Sequence, residues 1–214
     1  MHKEVLLLTL VAVTLSTGTA RSQVSVSFVS DPTWETFAMN PDGSQGASLG
    51  LPQCVGWTAY FADLSAIPGA CWMWMPGVDQ TSPADLQGAY FAKSFVLLGV
   101  PVGGEIMIAV DDFAEVRVNG SVVGSTGSVT DYTAAALAQS ALRMFDITSY
   151  LTSGANTITV RAQNGPHSFA GTGRCDPCTY GGNPAAVIFG GTLTFEPVTP
   201  ALRATWGRAK ARYR

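Results

Sequence analysis

The chain has 214 residues, enough for one sizeable core and short for two ordinary domains. Its 47% apolar content, 13% charged content and 23 glycines fit a turn-rich all-β protein and exclude a disordered body. The net charge of −3 hides an asymmetry. Residues 23–197 carry five basic side chains (Lys93, Arg117, Arg143, Arg161, Arg174) against fourteen acidic ones, a net of −9. Residues 198–214 carry five basic side chains and no acidic one. An acidic body repels phosphate backbones, so nucleic acid is not an expected partner.

Residues 1–22 read as an export signal. Met1-His2-Lys3 is a basic start, "VLLLTLVAVTL" is an apolar run short for a membrane span, and "STGTARSQ" offers cleavage after Ala20 or Ser22. An uncleaved anchor is the alternative. The mature chain is expected outside the cytoplasm, secreted or at the cell surface, with no transmembrane segment.

From residue 23 the pattern is period two. "QVSVSFVS" puts Val24, Val26 and Phe28 on one face, and "AYFAKSFVL" sets Phe91 and Phe95 either side of Lys93. "EIMIAV" groups Ile106, Ile108 and Val110, with Met107 and Ala109 opposite. "EVRV" and "SVVG" flank Asn119-Gly120, a pair suited to the positive φ of a tight hairpin. "TAAALAQSALR" is read as a loop holding at most one helical turn. "NTITVRAQ" sends Ile158 and Val160 inward, and "AAVIFGGTLTFEP" does the same for Leu193 and Phe195, leaving Thr192 and Thr194 outward. The first and last strands are expected to pair. The fold class is an all-β, antiparallel jelly-roll β-sandwich over residues 23–197.

Four cysteines allow three pairings. In an oxidising compartment the spacing favours Cys54 with Cys71 and Cys175 with Cys178. One CxxC and a single mature histidine fall short of a zinc site, and the Gly-rich setting of Cys175 to Cys178 is not the helix start that a redox motif needs.

"VDDFAEVRVNGSVVG" poses the chemical question. If the strand ran on, Asp111 and Asp112 would face opposite sides and could not flank one glycosidic bond. If the chain turns there, they bond turn amides, and that is the reading adopted.

"YFAKSFVL", "IAVDDFAEVRVNGSVVG", "FDITSYLTSGANTITVRAQN" and "GGNPAAVIF" occur in the order that resembles galactose-binding-domain-like jelly rolls, similar to the sugar-binding domains attached to many glycoside hydrolases. The resemblance covers roughly residues 89–195. It implies a carbohydrate-binding role and allows a structural calcium, although no dedicated acidic loop is visible; no other cofactor is expected. Two long loops, "PQCVGWTAYFADLSAIPGACWMWMPG" and "AQNGPHSFAGTGRCDPCTYGGNP", hold the candidate sugar contacts. These are Trp57, Tyr60, Asp112, Asn164, His167 and Tyr180, chosen for aromatic faces with amide, imidazole and carboxylate neighbours. Trp72 and Trp74 are read as core residues sharing one face.

A Ser-His-Asp arrangement would have to rest on His167 alone, and no Gly-rich phosphate loop leads into a helix, so no enzyme activity is expected. The leading expectation is a non-catalytic carbohydrate-binding module; the competing one is a structural or adhesion subunit contacting protein. The basic segment 198–214 resembles a bacterial C-terminal sorting or attachment tail, without an LPxTG-like motif.

Overall fold

The computed structural model describes residues 22–56, 63–77, 84–170 and 183–197. Among those residues are twelve strands, one α-helix and two short 3-10 helices (Thr148–Tyr150 and His167–Ala170): β1 (Val24–Val29), β2 (Glu35–Met39), β3 (Gln45–Gly50), β4 (Gln53–Cys54), β5 (Met73–Trp74), β6 (Gly88–Leu97), β7 (Gly99–Asp111), β8 (Phe113–Val118), β9 (Ser121–Gly127), α1 (Tyr132–Ser140), β10 (Arg143–Asp146), β11 (Gly154–Gln163) and β12 (Ala186–Pro197). They form an antiparallel β-sandwich of two six-stranded sheets. One sheet runs β10-β7-β12-β5-β4, with β1 also on β12; the other runs β3-β2-β6-β11-β8-β9. The first strand pairs with the last as expected, Val24 opposite Phe195.

Alternation sets the core. Ile106, Ile108 and Val110 from β7, Ile158 and Val160 from β11, and Leu193 and Phe195 from β12 are buried between the sheets around Trp34, Trp74, Phe91 and Phe189. The indole of Trp34 packs edge-on against Phe189, ring centroids 4.6 Å apart, and donates to the Val29 carbonyl. Asn119 and Gly120 have the positive φ (52° and 82°) of the expected hairpin turn. The Asn119 side chain then fixes that turn to β11, accepting the Thr157 amide and donating to the Asn156 side-chain Oδ1, both at 2.9 Å.

Two local expectations are corrected. Residues 132–140 form a full α-helix rather than a loop, because the Asp131 carboxylate caps the amides of Thr133 and Ala134 and alanines favour the helix that follows. Trp72 and Trp74 do not share one environment. Trp74 lies in the main core, whereas Trp72 joins Ile67, Ala109, Ala186 and Ile188 in a second cluster. Ala109, on the outward side of β7, is therefore buried too.

The cause is the segment between β4 and β5, part of which covers this end of the β7/β12 sheet. The disulfide Cys54–Cys71 closes it, with the two Cα atoms 5.7 Å apart. Ile67 reaches the sheet over Gly190, where an added Cβ would lie 2.7 Å from the Ile67 methyl. The second expected pair, Cys175 and Cys178, lies outside the described residues.

Candidate functional site

The chain passes from one sheet to the other at Asp111 and Asp112, since β7 belongs to the first and β8 to the second. The peptide between them is cis. Both side chains are buried, 6% and 8% exposed. The Asp112 carboxylate accepts the Gly165 amide at 2.6 Å, and the Asp112 backbone bonds Gln163 and Ser128. Burial pushes the Asp112 carboxyl above its ordinary range, against the opposing hydrogen bonds from Asp111 and the Gly165 amide. The amide bonded by Asp112 belongs to a segment 53 residues away rather than to the local turn, so this residue fastens a distant loop to the corner.

Asn164 and His167 stand beside it. Asn164 is fully buried; its amide donates to the Gln87 carbonyl at 2.8 Å and its side chain to the Ala84 carbonyl at 3.2 Å. His167, 4% exposed, donates its backbone amide to Asp85, whose same oxygen accepts the Asn183 side chain. The fold thus brings Asp112, Asn164 and His167 to one end of the sandwich, but packs all three inside. Trp57, Tyr60 and Tyr180 lie outside the described residues. Tyr132, which the sequence did not single out, is the only exposed aromatic ring among the described residues, edge-on to Phe169 at 6.0 Å. Among the described residues no three His, Cys, Asp or Glu side chains stand close enough to share a metal ion, so no calcium ligands are assigned.

A second arrangement lies on the outer face of the β7/β12 sheet. Register aligns Asp146, Glu105, Thr192 and Ser27 in one row across β10, β7, β12 and β1, with Gly103, Thr194 and Ser25 in the next. Cross-strand neighbours share a face, so these side chains project together. They border a groove of about 400 Å³ lined by Gly103, Gly104, Glu105, Met144, Asp146, Thr148, Thr192 and Thr194. Gly103 keeps the floor low, with only Thr194 near the position of an added Cβ. Met144, 62% exposed, supplies an apolar edge. The Thr148 hydroxyl accepts the Gly104 amide at 2.9 Å. Hydrogen bonds from the Thr148 hydroxyl and amide hold the Asp146 carboxyl below its usual range.

The groove therefore offers ionised carboxylate, hydroxyls and a thioether around a shallow floor, a set suited to a polyhydroxylated ligand. Sequence alternation places Thr192 and Thr194 outward but does not reveal the register that sets them beside Glu105 and Asp146.

No family model and no curated protein matches the chain. Solved structures similar in fold are glycoside hydrolases. The α-L-rhamnosidase of Streptomyces avermitilis, complexed with L-rhamnose, is 17% identical over 87% of this chain, with a TM-score of 0.44. The FMN-binding β-glucuronidase of Facaelibacterium prausnitzii L2-6 is 14% identical over 80%, with a TM-score of 0.40. A putative β-galactosidase from Bacteroides fragilis is 16% identical over 79%, also at 0.40. This chain spans 19%, 23% and 23% of those chains respectively. At such identities and scores the likeness concerns chain path alone and carries no argument about activity.

Proposed function

We propose that the chain is an exported, non-catalytic module that binds carbohydrate at the cell surface through the groove between Glu105, Asp146, Thr192 and Thr194. The observation that carries this reading is the groove itself: a shallow cavity of about 400 Å³ with hydroxyl and carboxylate groups on its walls and a bare glycine floor. Sugar hydroxyls exchange water for such groups at little net cost, and Met144 offers the apolar contact that their C–H faces need.

Absence of catalysis is part of the proposal. Asp146 is held in its ionised form, which suits an acceptor and not a general acid, and Glu105 stands beside it on the same wall. The Cys54–Cys71 disulfide fits an oxidising compartment. Among the described residues no helix is long and apolar enough to cross a membrane.

The test compares retention of Glu105→Gln, Thr194→Val and Tyr132→Ala in affinity gels cast with the glycan bound by the full chain. The first two should weaken retention about tenfold, the loss of one good polar contact, and the third should leave it unchanged. Loss in Tyr132→Ala alone would move the site to the loop end.

A second reading has its own observation. β1 pairs with β12 on one side only among the described residues, and Val24, Val26, Val96 and Leu98 are exposed nearby. An open edge with apolar neighbours is what a structural or adhesion subunit would offer to a protein partner.

A further inference from the structure

The two sheets do not close along the side where β1 faces β6. β2 pairs with β6 only as far as Ala92, so the stretch from Lys93 to Leu97 has no strand on that side among the described residues. Between these edges lies an apolar cleft of about 440 Å³. Val26, Phe28, Trp34, Phe95, Leu97 and Phe195 form its walls. Val26 is 47% exposed, and Val96 and Leu98 at the lip are 62% and 74% exposed. Val26, Val96 and Leu98 left exposed beside two open strand edges are unfavourable in water, while Trp34, Leu97 and Phe195 are already buried at the cleft's base.

The chain's own course supplies a cover. β12 contributes Phe195 to the cleft and ends two residues later at Pro197, the residue to which segment 198–214 is joined. Seventeen residues span up to about 55 Å when extended and about 25 Å as a helix, so reach is not limiting. The segment carries Leu202 and Trp206, four residues apart, a spacing that a helical turn would place on one side.

Charge points the same way. The segment has five basic side chains, and residues 23–197 have a net charge of −9. Asp31 lines the cleft and Glu35 opens β2. Lys93, the one basic side chain in the cleft wall, is already engaged: it donates to the Thr33 hydroxyl at 2.7 Å and stands 5.6 Å from the Trp34 ring centroid.

We propose that residues 198–214 dock onto this cleft of their own chain. Leu202 and Trp206 cover the apolar walls, and the basic residues face Asp31 and Glu35. The inference does not rest on the carbohydrate groove, which lies on the outer face of the β7/β12 sheet, whereas the cleft opens between the two sheets. It gives the segment a role within the chain, where the second reading above would leave the cleft to a partner.

Hydrogen exchange read by mass spectrometry tests it. Three proteins are compared: the full chain, the full chain with Leu202→Ala and Trp206→Ala together, and a chain stopped after Pro197. The readout is the exchange rate in Val24–Val29 and in residues 93–97, divided by the rate in residues 106–110 at the centre of β7. That ratio should rise at least tenfold in both altered proteins, and general destabilisation alone would not raise it. An unchanged ratio would overturn the proposal. So would protection in the full chain that grows with protein concentration alongside a dimer in sedimentation, because a second copy would then be the cover.

Discussion

The Asp112 carboxylate and the Gly165 amide meet at 2.6 Å inside the protein, 53 residues apart in sequence. An added Cβ at Gly165 would lie 2.6 Å from that same carboxylate oxygen, so the contact needs glycine on one side and a short acid on the other. The bond fixes the exit of β11 to the corner between the sheets. The long segment before β12 therefore starts from a set position.

Replacing Asp112 by Ala should cost about 1–3 kcal/mol, because the Gly165 amide would be left buried without its acceptor. Asp112→Asn should cost less, since an amide can still accept from Gly165 and donate to Asp111. The sign of the pH effect follows from the upward shift of the Asp112 carboxyl above its ordinary value of 3.8. A group raised by folding contributes stability that is complete below the ordinary value and is lost as pH rises through the folded one. Urea midpoints measured from about pH 3.5 to 8 should therefore show a component that falls with pH in the native protein and is missing in Asp112→Asn. The exposed Asp42, Asp63 and Asp146 are shifted downward, which gives the opposite slope in both proteins and cancels in the difference. Identical pH profiles would mean that burial does not raise the Asp112 carboxyl in the folded protein.

Gly127 stands against the same corner. Its φ is +78°, and an added Cβ would overlap the Asp112 carbonyl oxygen and lie 3.1 Å from the Ala138 methyl. Gly127→Ala should destabilise by about 2 kcal/mol or more, combining left-handed strain with a backbone clash. Gly120→Ala is the comparison. It has a similar φ of +82° with open space around it, so thermal melts should show a distinctly smaller loss there.

The Cys54–Cys71 bridge closes a loop of 17 residues. Converting both to Ala should lower stability by about 2–4 kcal/mol, and a reductant should then shift the melting of the native protein but not of the variant by way of this bridge. The first region to loosen should be the cluster of Ile67, Trp72 and Ile188 beneath that loop, read as faster exchange of the Ala186 to Ile188 amides. Equal melting with and without the bridge would mean that packing of Ile67 on Gly190 holds the segment unaided.

Much of the fold was legible in the sequence because alternation is a local signal. Ile106, Ile108 and Val110 could go nowhere but a core, and Asn119-Gly120 could hardly be anything but a turn. The failures are equally physical. The helix at 132–140 is weakly amphipathic, with only Ala135 and Ala138 buried, so its apolar period is faint and the cap at Asp131 is the better sign. The burial of Ala109 on the outer side of β7 is not legible in the sequence, because nothing in that strand announces that a disulfide-closed loop will cover it.

Site residues were harder to read. Asp112, Asn164 and His167 have the side chains of a sugar site, but burial depends on contacts with Gln87, Ala84 and Asp85 that sequence spacing does not carry. Glu105 and Asp146 stand 41 residues apart and become neighbours only through the β7–β10 register. A groove made by register is visible only once the strands are paired.

The central claim is that the groove on the outer face binds carbohydrate. The most direct measurement is a glycan array probed with the full chain beside its Glu105→Gln, Thr194→Val double variant. Both proteins are first checked for the same melting temperature. The account predicts a defined set of bound glycans for the native chain and at least a tenfold weaker signal on that same set for the variant. No binding to any glycan, or equal binding by both proteins, would contradict it.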